Sequence, residues 1–447
     1  MSVFETVAEL AVDGQRARAY EHGWQSWSPT TSYPVTATSP RPAGLARRAI
    51  CYRPETPAPD VGFQGEGLLA VDPGNGGPVA VFAATGPEAT PSIRASYVDG
   101  RVVVSANGSV DRVDRPGPLP AALGEWGATF AAAAGASPLR AAPTVWCSWY
   151  HYFTKVTEAD IVENLDAIGA ADLPIDVIQI DDGWQTEIGD WLTLSDRFAS
   201  LARLVDRIRS AGKRAGIWVA PFLVGARSAL AGEHPGWLIA GPDGLPVTAG
   251  HNWGQDLFGL DVTHPDAAAY LRDVFGWLTG VGIDYFKIDF IYGGALAGSR
   301  HTGVDGLSGY RGGVSLIREV IGPDAYLLGC GAPILPSVGL VDAMRVSPDI
   351  ALEYEPPDGD PSQPSQRGAT LSTVGRAWQH GRFWVNDPDC LVARPAVERR
   401  EEWATVVEKY GGLRASSDRI ADLDGWGLAT TRRLLATVPP PTPFEQV

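Results

Sequence analysis

Four short apolar runs in this chain each end in a cluster of charge. Val177-Ile178-Gln179-Ile180 leads into Asp181-Asp182, and Ile283-Asp284-Tyr285-Phe286 into Lys287-Ile288-Asp289. Ala343-Met344 leads into Arg345 to Asp349, and Phe383-Trp384-Val385 into Asn386-Asp387-Pro388-Asp389. Runs this short and this rich in β-branched and aromatic residues read as strands of a parallel sheet, buried on both faces. Charge at the C-terminal tip of such strands is where barrel enzymes of the (β/α)₈ type place their chemistry. The pattern aims several carboxylates, one Lys and one Arg at a common cup.

From Val145 on, strand-like and amphipathic helical runs alternate, which argues for βα units. Strands are expected near Val145–Trp149, Val177–Ile180, Arg214–Ala220, Asp284–Phe290, Ala325–Gly329, Ala343–Val346, Arg382–Asn386 and Gly412–Ala415. Helices are expected over Ala159–Ala171, Ser200–Ala211 and Ala267–Leu278, the first started by Thr157 with Asp160. Eight such units match a (β/α)₈ TIM barrel in number and size. A doubly wound open sheet fits less well, because Trp146-Cys147-Ser148-Trp149 stands where a Gly-rich phosphate turn would follow the first strand. Residues 1–135 differ: short alternating runs flank Asp99-Gly100, a hairpin signal, and Pro/Gly segments punctuate the rest. The expected organisation is multidomain α/β. An antiparallel β-sandwich covers 1–135, a linker 136–144 (with Ala131–Ala136 already linker-like), a catalytic barrel 145–438 and an extended tail 439–447.

Composition narrows the partners. Across 447 residues the net charge is −16, so no basic field meets nucleic acid, and polyanionic substrates are disfavoured. No apolar stretch nears the roughly 18 residues of a membrane span. Glu5, Glu9 and Asp13 stand where a signal peptide would be basic and then apolar. Cys51, Cys147, Cys330 and Cys390 show no C-x-x-C spacing and read as free thiols in a reducing, cytoplasmic compartment. The 15 Trp residues are core fillers or, beside the polar clusters, platforms for sugar rings.

Lys287 and Asp289 share a strand face by the two-residue period, and an ammonium beside Asp289 would keep it ionised, as a nucleophile requires. Alone, that pair reads as a structural ion pair. Asp349 lies 60 residues further on, about two βα units away (349 − 289). Alone, it reads as a cap of the next helix. Together the two carboxylates are the minimum apparatus of glycoside hydrolysis. Asp181-Asp182 calls for hydrogen-bond donors, from a sugar with vicinal hydroxyls or from a divalent metal. The metal alternative would use Asp181, Asp182, Asp289 and Asp349, but the seven His lack H-x-H or H-E-x-x-H spacing.

At this point a family resemblance enters. Trp146-Cys147-Ser148-Trp149, Gln179 to Gln185, Trp218-Val219-Ala220-Pro221, His234-Pro235-Gly236-Trp237, Tyr285 to Asp289 and Arg345 to Asp349 resemble the melibiase-type α-galactosidases. Asn386 to Asp389, Ser417-Asp418-Arg419 and Gly23 to Ser28 continue the likeness. The resemblance implies a retaining hydrolase that removes terminal α-linked galactose from oligosaccharides, with Asp289 as nucleophile and Asp349 as general acid/base. It implies that Asp181 and Asp182 accept from the galactose O4 and O6 hydroxyls and that Lys287 donates to ring hydroxyls. Arg345 would contact the sugar near O2 and hold the acid/base, and Trp149, Trp218 and Cys330 would line the sugar. No metal and no organic cofactor are implied. Partners would be α-galactoside oligosaccharides, without nucleic acid or membrane; a homo-oligomer stays open. Asn386–Asp389 reads as support at the seventh strand, and the Gly23–Ser28 loop is expected to reach the barrel mouth.

Three positions depart from the family pattern. Ile291 stands where many relatives have Asn, Cys330-Gly331-Ala332-Pro333 replaces a C-x-G-G segment, and the usual C-terminal β domain is reduced or absent. The first two shape the C2 and C3 side of the sugar. The same site therefore also suits an α-N-acetylgalactosaminidase or a raffinose-synthase-like transglycosidase, and a catalytically inactive carbohydrate-binding barrel is the reading from another class.

Overall fold

The computed structural model describes residues 3–41, 44, 49–136 and 138–444. Residues 1–2, 42–43 and 45–48 of the expected N-terminal domain, 137 of the expected linker and 445–447 of the expected tail lie outside the described residues.

An eight-stranded parallel sheet organises the second part of the chain. Its strands are β1 (Val145–Cys147), β2 (Val177–Ile180), β3 (Arg214–Val219), β4 (Ile283–Ile288), β5 (Tyr326–Gly329), β6 (Ala343–Arg345), β7 (Val385–Asp387) and β8 (Ala415–Ser416). Except for β7 and β8, which stand at its two ends, neighbours in the chain are neighbours in the sheet, in the order β7-β6-β5-β4-β3-β2-β1-β8. Beyond β7, Leu391 N–H donates to Ala415 and Ser417 N–H to Leu391, at 2.7 and 3.0 Å, alongside β8. Each of the eight expected strands overlaps one of these, with ends that differ by up to three residues and, for β8, a single shared residue, Ala415.

The helices between strands follow from their sequence periodicity. Glu158–Ala170 buries Ile161, Leu165 and Ile168 against the sheet, and Thr157 and Asp160 form a reciprocal capping box at its start. Leu201–Ser210 is capped by Ser200 and buries Leu201, Leu204, Val205 and Ile208. Asp349 caps no helix; the cap of Gln366–Gly375 is Ser365.

Between β3 and β4 the chain adds an element the periodicity did not announce. A small antiparallel sheet orders Leu223–Gly225, Gln255–Gly259 and Thr248–Asn252. Asn252 pairs with Gln255, so Trp253 and Gly254 make the turn, both at positive φ (51° and 65°) as a type I′ hairpin requires.

The N-terminal part holds two antiparallel sheets, one of four strands and one of five. Phe63, Ile93, Val102 and Val104 from one, and Leu69, Val71, Ala80 and Phe82 from the other, share a core. Asp99 and Gly100 turn the expected hairpin between Ser92–Val98 and Arg101–Ala106, again with both φ positive. The sequence reading missed the helix Leu119–Ala133, which takes up the start of the stretch read as linker. Its Trp126 meets Trp378 edge-on at 5.8 Å and its Phe130 lies 5.8 Å from Phe383, so it packs the β part onto the parallel sheet.

The tightest tie between the two parts is Arg376. Its side chain is fully buried, and it donates to five backbone carbonyls: Ser26 (2.7 Å) and Val346 (2.8 Å) through Nη1, Gln25 (2.8 Å), Ser28 (3.1 Å) and Gly23 (3.5 Å) through Nη2. Burial pulls its pKa down to about 10, which still leaves it charged at neutral pH. Replacing it strands several buried acceptors. Arg376→Met is expected to lower the unfolding free energy by about 3 kcal/mol or more, read from the midpoint of urea unfolding.

Candidate active site

The tips of β2, β4, β6 and β7 converge, and their side chains form one bonded network. Asp289 follows β4 directly. Its Oδ2 accepts from Trp218 Nε1 at 3.0 Å and its Oδ1 from the Phe290 N–H at 2.7 Å. Lys287, on the same strand face, lies 3.8 Å from Asp289 but only 3.1 Å from Asp181. The ion pair expected within K-x-D is therefore mainly a cross-strand pair to β2.

That changes the charge state expected of Asp289. Burial raises its pKa, and neither Lys287 nor the Trp218 indole offsets this; the neighbouring Asp349 charge adds to it. The expectation that Lys287 lowers the pKa of this carboxyl is not met: desolvation outweighs an ammonium that lies nearer Asp181. The converse holds for Lys287, where burial disfavours the charge but Asp181 and Asp289 together more than offset it and hold it well above its ordinary value.

Asp181 is saturated with donors. Its Oδ2 accepts from Gln179 Nε2 at 2.6 Å and from the Cys147 thiol at 3.3 Å, besides Lys287. Asp182 accepts from Gln185 Nε2 at 2.6 Å and from Trp253 Nε1 at 2.8 Å. Burial, and next the adjacent Asp181 charge against the pull of Gln185, push Asp182 up to about 6.

On the other side of the cup, Arg345 at the end of β6 serves three carboxylates. Nη1 donates to Asp349 at 2.9 Å, Nη2 lies 2.6 Å from Asp389, and Nε is 3.3 Å from Asp387. Arg345 is buried, whereas the Asp349 side chain is 33% exposed, against 8% for Asp289. One carboxyl of the candidate pair therefore sits on the floor of the site and the other at its rim, where a leaving group would exit.

The Gly23–Ser28 loop reaches this rim, as expected. Ser26 N–H donates to Ala332 O and Ala332 N–H to Ser26 Oγ, each at 3.1 Å, just beyond β5. The Trp27 ring stands edge-on to Phe290 at 4.6 Å, next to Asp289. At Gly331 (φ 53°) a Cβ would meet Trp27 at 2.7 Å and the Phe290 nitrogen at 2.8 Å, so only glycine lets the three segments meet. A cavity of about 390 Å³ opens beside them, lined by Trp27, Ile50, His251, Asn252, Phe290, Asp349 and Pro364.

Of the residues expected at the site, Asp181, Asp182, Lys287, Asp289, Trp218 and Cys330 stand together, with Arg345 and Asp349 joining them through the Asp289–Asp349 and Cys330–Arg345 charge contacts. Trp149 is half-buried after β1, its ring against Phe153 at 5.2 Å, and no hydrogen bond ties it to the cluster. Sequence reasoning missed Trp253 and Phe290, and it placed Trp27 only through the Gly23–Ser28 loop. Gln179 was recoverable, since two residues before Asp181 is the same strand face.

A melibiase family model matches residues 138–305, which span β1 to β4. The α-galactosidase of Thermus thermophilus, solved with p-nitrophenyl α-D-galactopyranoside, is 30% identical and superposes with a TM-score of 0.81 over 97% of this chain and 92% of its own. An Escherichia coli α-galactosidase is 31% identical over 129 residues, 27% of this chain and 18% of that protein. A Flavonifractor plautii enzyme named A type blood α-D-galactosamine galactosaminidase is 34% identical over 106 residues, 23% of this chain and 10% of that protein. The chain thus matches less than a quarter of the length of these curated relatives.

The charge state of Asp182 has a measurable consequence. A carboxyl whose folded pKa exceeds its unfolded value of about 3.9 favours folding below that value, and the advantage is lost as pH rises toward about 6. In Asp182→Asn this loss is absent. The stability of the variant relative to wild type should therefore improve from pH 4 to pH 7, by up to about 3 kcal/mol, as measured by urea unfolding at both pH values.

The order of motifs, the parallel-sheet topology and the near full-length likeness to the Thermus enzyme agree: this chain belongs to the melibiase family of α-galactosidases.

Proposed function

We propose that this protein is a retaining α-galactosidase that removes terminal α-linked galactose from oligosaccharides. The observation that carries this reading is the pair Asp289 and Asp349, one on the buried floor and one on the exposed rim of a single cup, in a chain alike along nearly its whole length to an enzyme captured with an aryl α-galactoside. In this reading the parallel sheet closes between β7 and β8 into a (β/α)₈ barrel, a closure supported by the Leu391–Ser416 bridge. Residues 1–135 form the β-sandwich domain, 136–144 the linker, 145–438 the catalytic barrel and 439–447 the tail. All four cysteines are buried thiols outside any disulfide, which suits the cytoplasm.

Asp289 attacks the anomeric carbon and forms a galactosyl ester. Asp349 protonates the departing oxygen and then deprotonates the water that cleaves the ester. Lys287, Asp181 and Asp182 hold the galactose hydroxyls, Trp218 fixes Asp289, Arg345 holds Asp349, and Trp149 and Cys330 line the ring. In this reading the chemistry uses neither a metal nor an organic cofactor.

The alternative N-acetylgalactosamine reading needs room on the C2 side. Ile291 and Cys330 are both buried, and Gly331 is closed over by Trp27 and Phe290, which favours the unsubstituted sugar. A raffinose-synthase-like transfer would use the same steps with a sugar hydroxyl in place of water.

Asp289→Asn should remove turnover of p-nitrophenyl α-galactoside by about four orders of magnitude or more while leaving the circular dichroism spectrum unchanged; retained activity sinks the assignment. NMR of the first product should show the α-anomer, and a β-anomer would mean inversion. Because Asp289 must be ionised to attack and burial raises its pKa, the acid limb of kcat/KM should lie above the ordinary aspartate value near 3.9. A pH–rate profile from pH 3 to 9 measures this.

A further inference from the structure

Asp389 lies outside the pair assigned to the chemistry, yet it grips the segment that carries Asp349 at two places. Its Oδ1 lies 2.6 Å from Arg345 Nη2, the guanidinium that also donates to Asp349 at 2.9 Å. Its Oδ2 accepts from the N–H of Ile350, the residue next to Asp349, at 2.9 Å, and from the Tyr150 hydroxyl. The side chain is fully buried, and the backbone sits at φ 102°, held there by Asp387, which accepts the Asp389 N–H at 3.0 Å. A residue other than glycine keeps such a conformation only where its surroundings impose it.

We propose that Asp389 is a positioning residue for Asp349: it fixes the Asp349–Ile350 backbone and, by sharing Arg345, limits how far that guanidinium draws the proton from Asp349. The inference rests on the reading of Asp349 as the general acid/base. The groups facing Asp389 are Arg345 and Asp349 from the end of β6, Tyr150 from the segment after β1, and Asp387 and Cys390 from its own, with the Cys147 thiol bonded to Cys390. Burial raises the Asp389 pKa against Arg345, and the Asp349 and Asp387 charges bring it to about 7. Removing the Asp389 charge frees Arg345 to act on Asp349 and removes a repelling neighbour. Both changes make Asp349 a stronger acid, which loses its proton at lower pH.

The test compares Asp389→Asn with wild type on aryl α-galactosides whose leaving groups run from 2,4-dinitrophenolate to phenolate. For the phenyl substrate kcat/KM should fall roughly tenfold, for the dinitrophenyl substrate less than about threefold, and the basic limb should move down by about half a pH unit or more. Tyr150→Phe, which removes one donor from the Asp389 carboxylate, is the milder second variant and should move the limb the same way. Asp418→Asn is the structural comparator, an equally buried carboxyl bonded to Arg394 and the Ala393 N–H; its effect should be uniform across leaving groups. A uniform loss with an unmoved basic limb in both Asp389→Asn and Tyr150→Phe overturns the proposal. Asp349→Ala in the same series tests the underlying reading separately, because without leaving-group dependence there the acid/base assignment itself fails.

Discussion

Arg345 satisfies Asp349, Asp387 and Asp389 at once, and with Lys287 it supplies the positive charge for a cup that also holds Asp181, Asp182 and Asp289. Six carboxyls against two cations leave an excess of negative charge. The protein relieves the excess in two ways. Neutral donors reach the carboxylates from Gln179, Gln185, Trp218, Trp253 and Tyr150. Burial also raises the proton affinity of Asp182, Asp289 and Asp389.

The same economy of buried charge joins the two parts of the chain. Arg376 places a guanidinium among carbonyls of the Gly23–Ser28 loop and of Val346, the residue after Arg345. One side chain thus fixes the N-terminal loop and the strand end that carries Asp349 to each other. Trp27, positioned by that loop, walls the cavity beside Asp349, so the β part contributes to the site as well as to the fold.

The eight strands and three of the helices between them were legible because burial on both faces leaves an unbroken apolar run and burial on one leaves a helical period. The charged residues were legible because they punctuate those runs. Other features were not, among them the helices Gly306–Ile321, Gln366–Gly375, Arg400–Tyr410 and Gly425–Leu435. The small sheet around Trp253 has strands of three to five residues with mixed polarity, too short for a period to emerge. The helix Leu119–Ala133 is mostly Ala and Gly with few large apolar residues, so its buried side, carried by Leu123, Trp126 and Phe130, does not stand out as a stripe. The raised pKa of Asp289 comes first from its burial, and only tertiary structure reveals that burial and shows Lys287 nearer to Asp181.

Three residues at the site hold left-handed backbone without being glycine: Trp253, Phe290 and Asp389. Each stands where a regular strand end would aim the chain elsewhere, and each delivers a contact on a carboxyl network: an indole N–H to Asp182, a backbone N–H to Asp289, and a carboxylate to Arg345. Strain of this kind persists only when neighbouring contacts over-determine it. The parallel strands supply the charge, and their positions follow from hydrophobic pattern alone. The strained turns supply the donors that make that charge tolerable, and their positions follow from the network they complete.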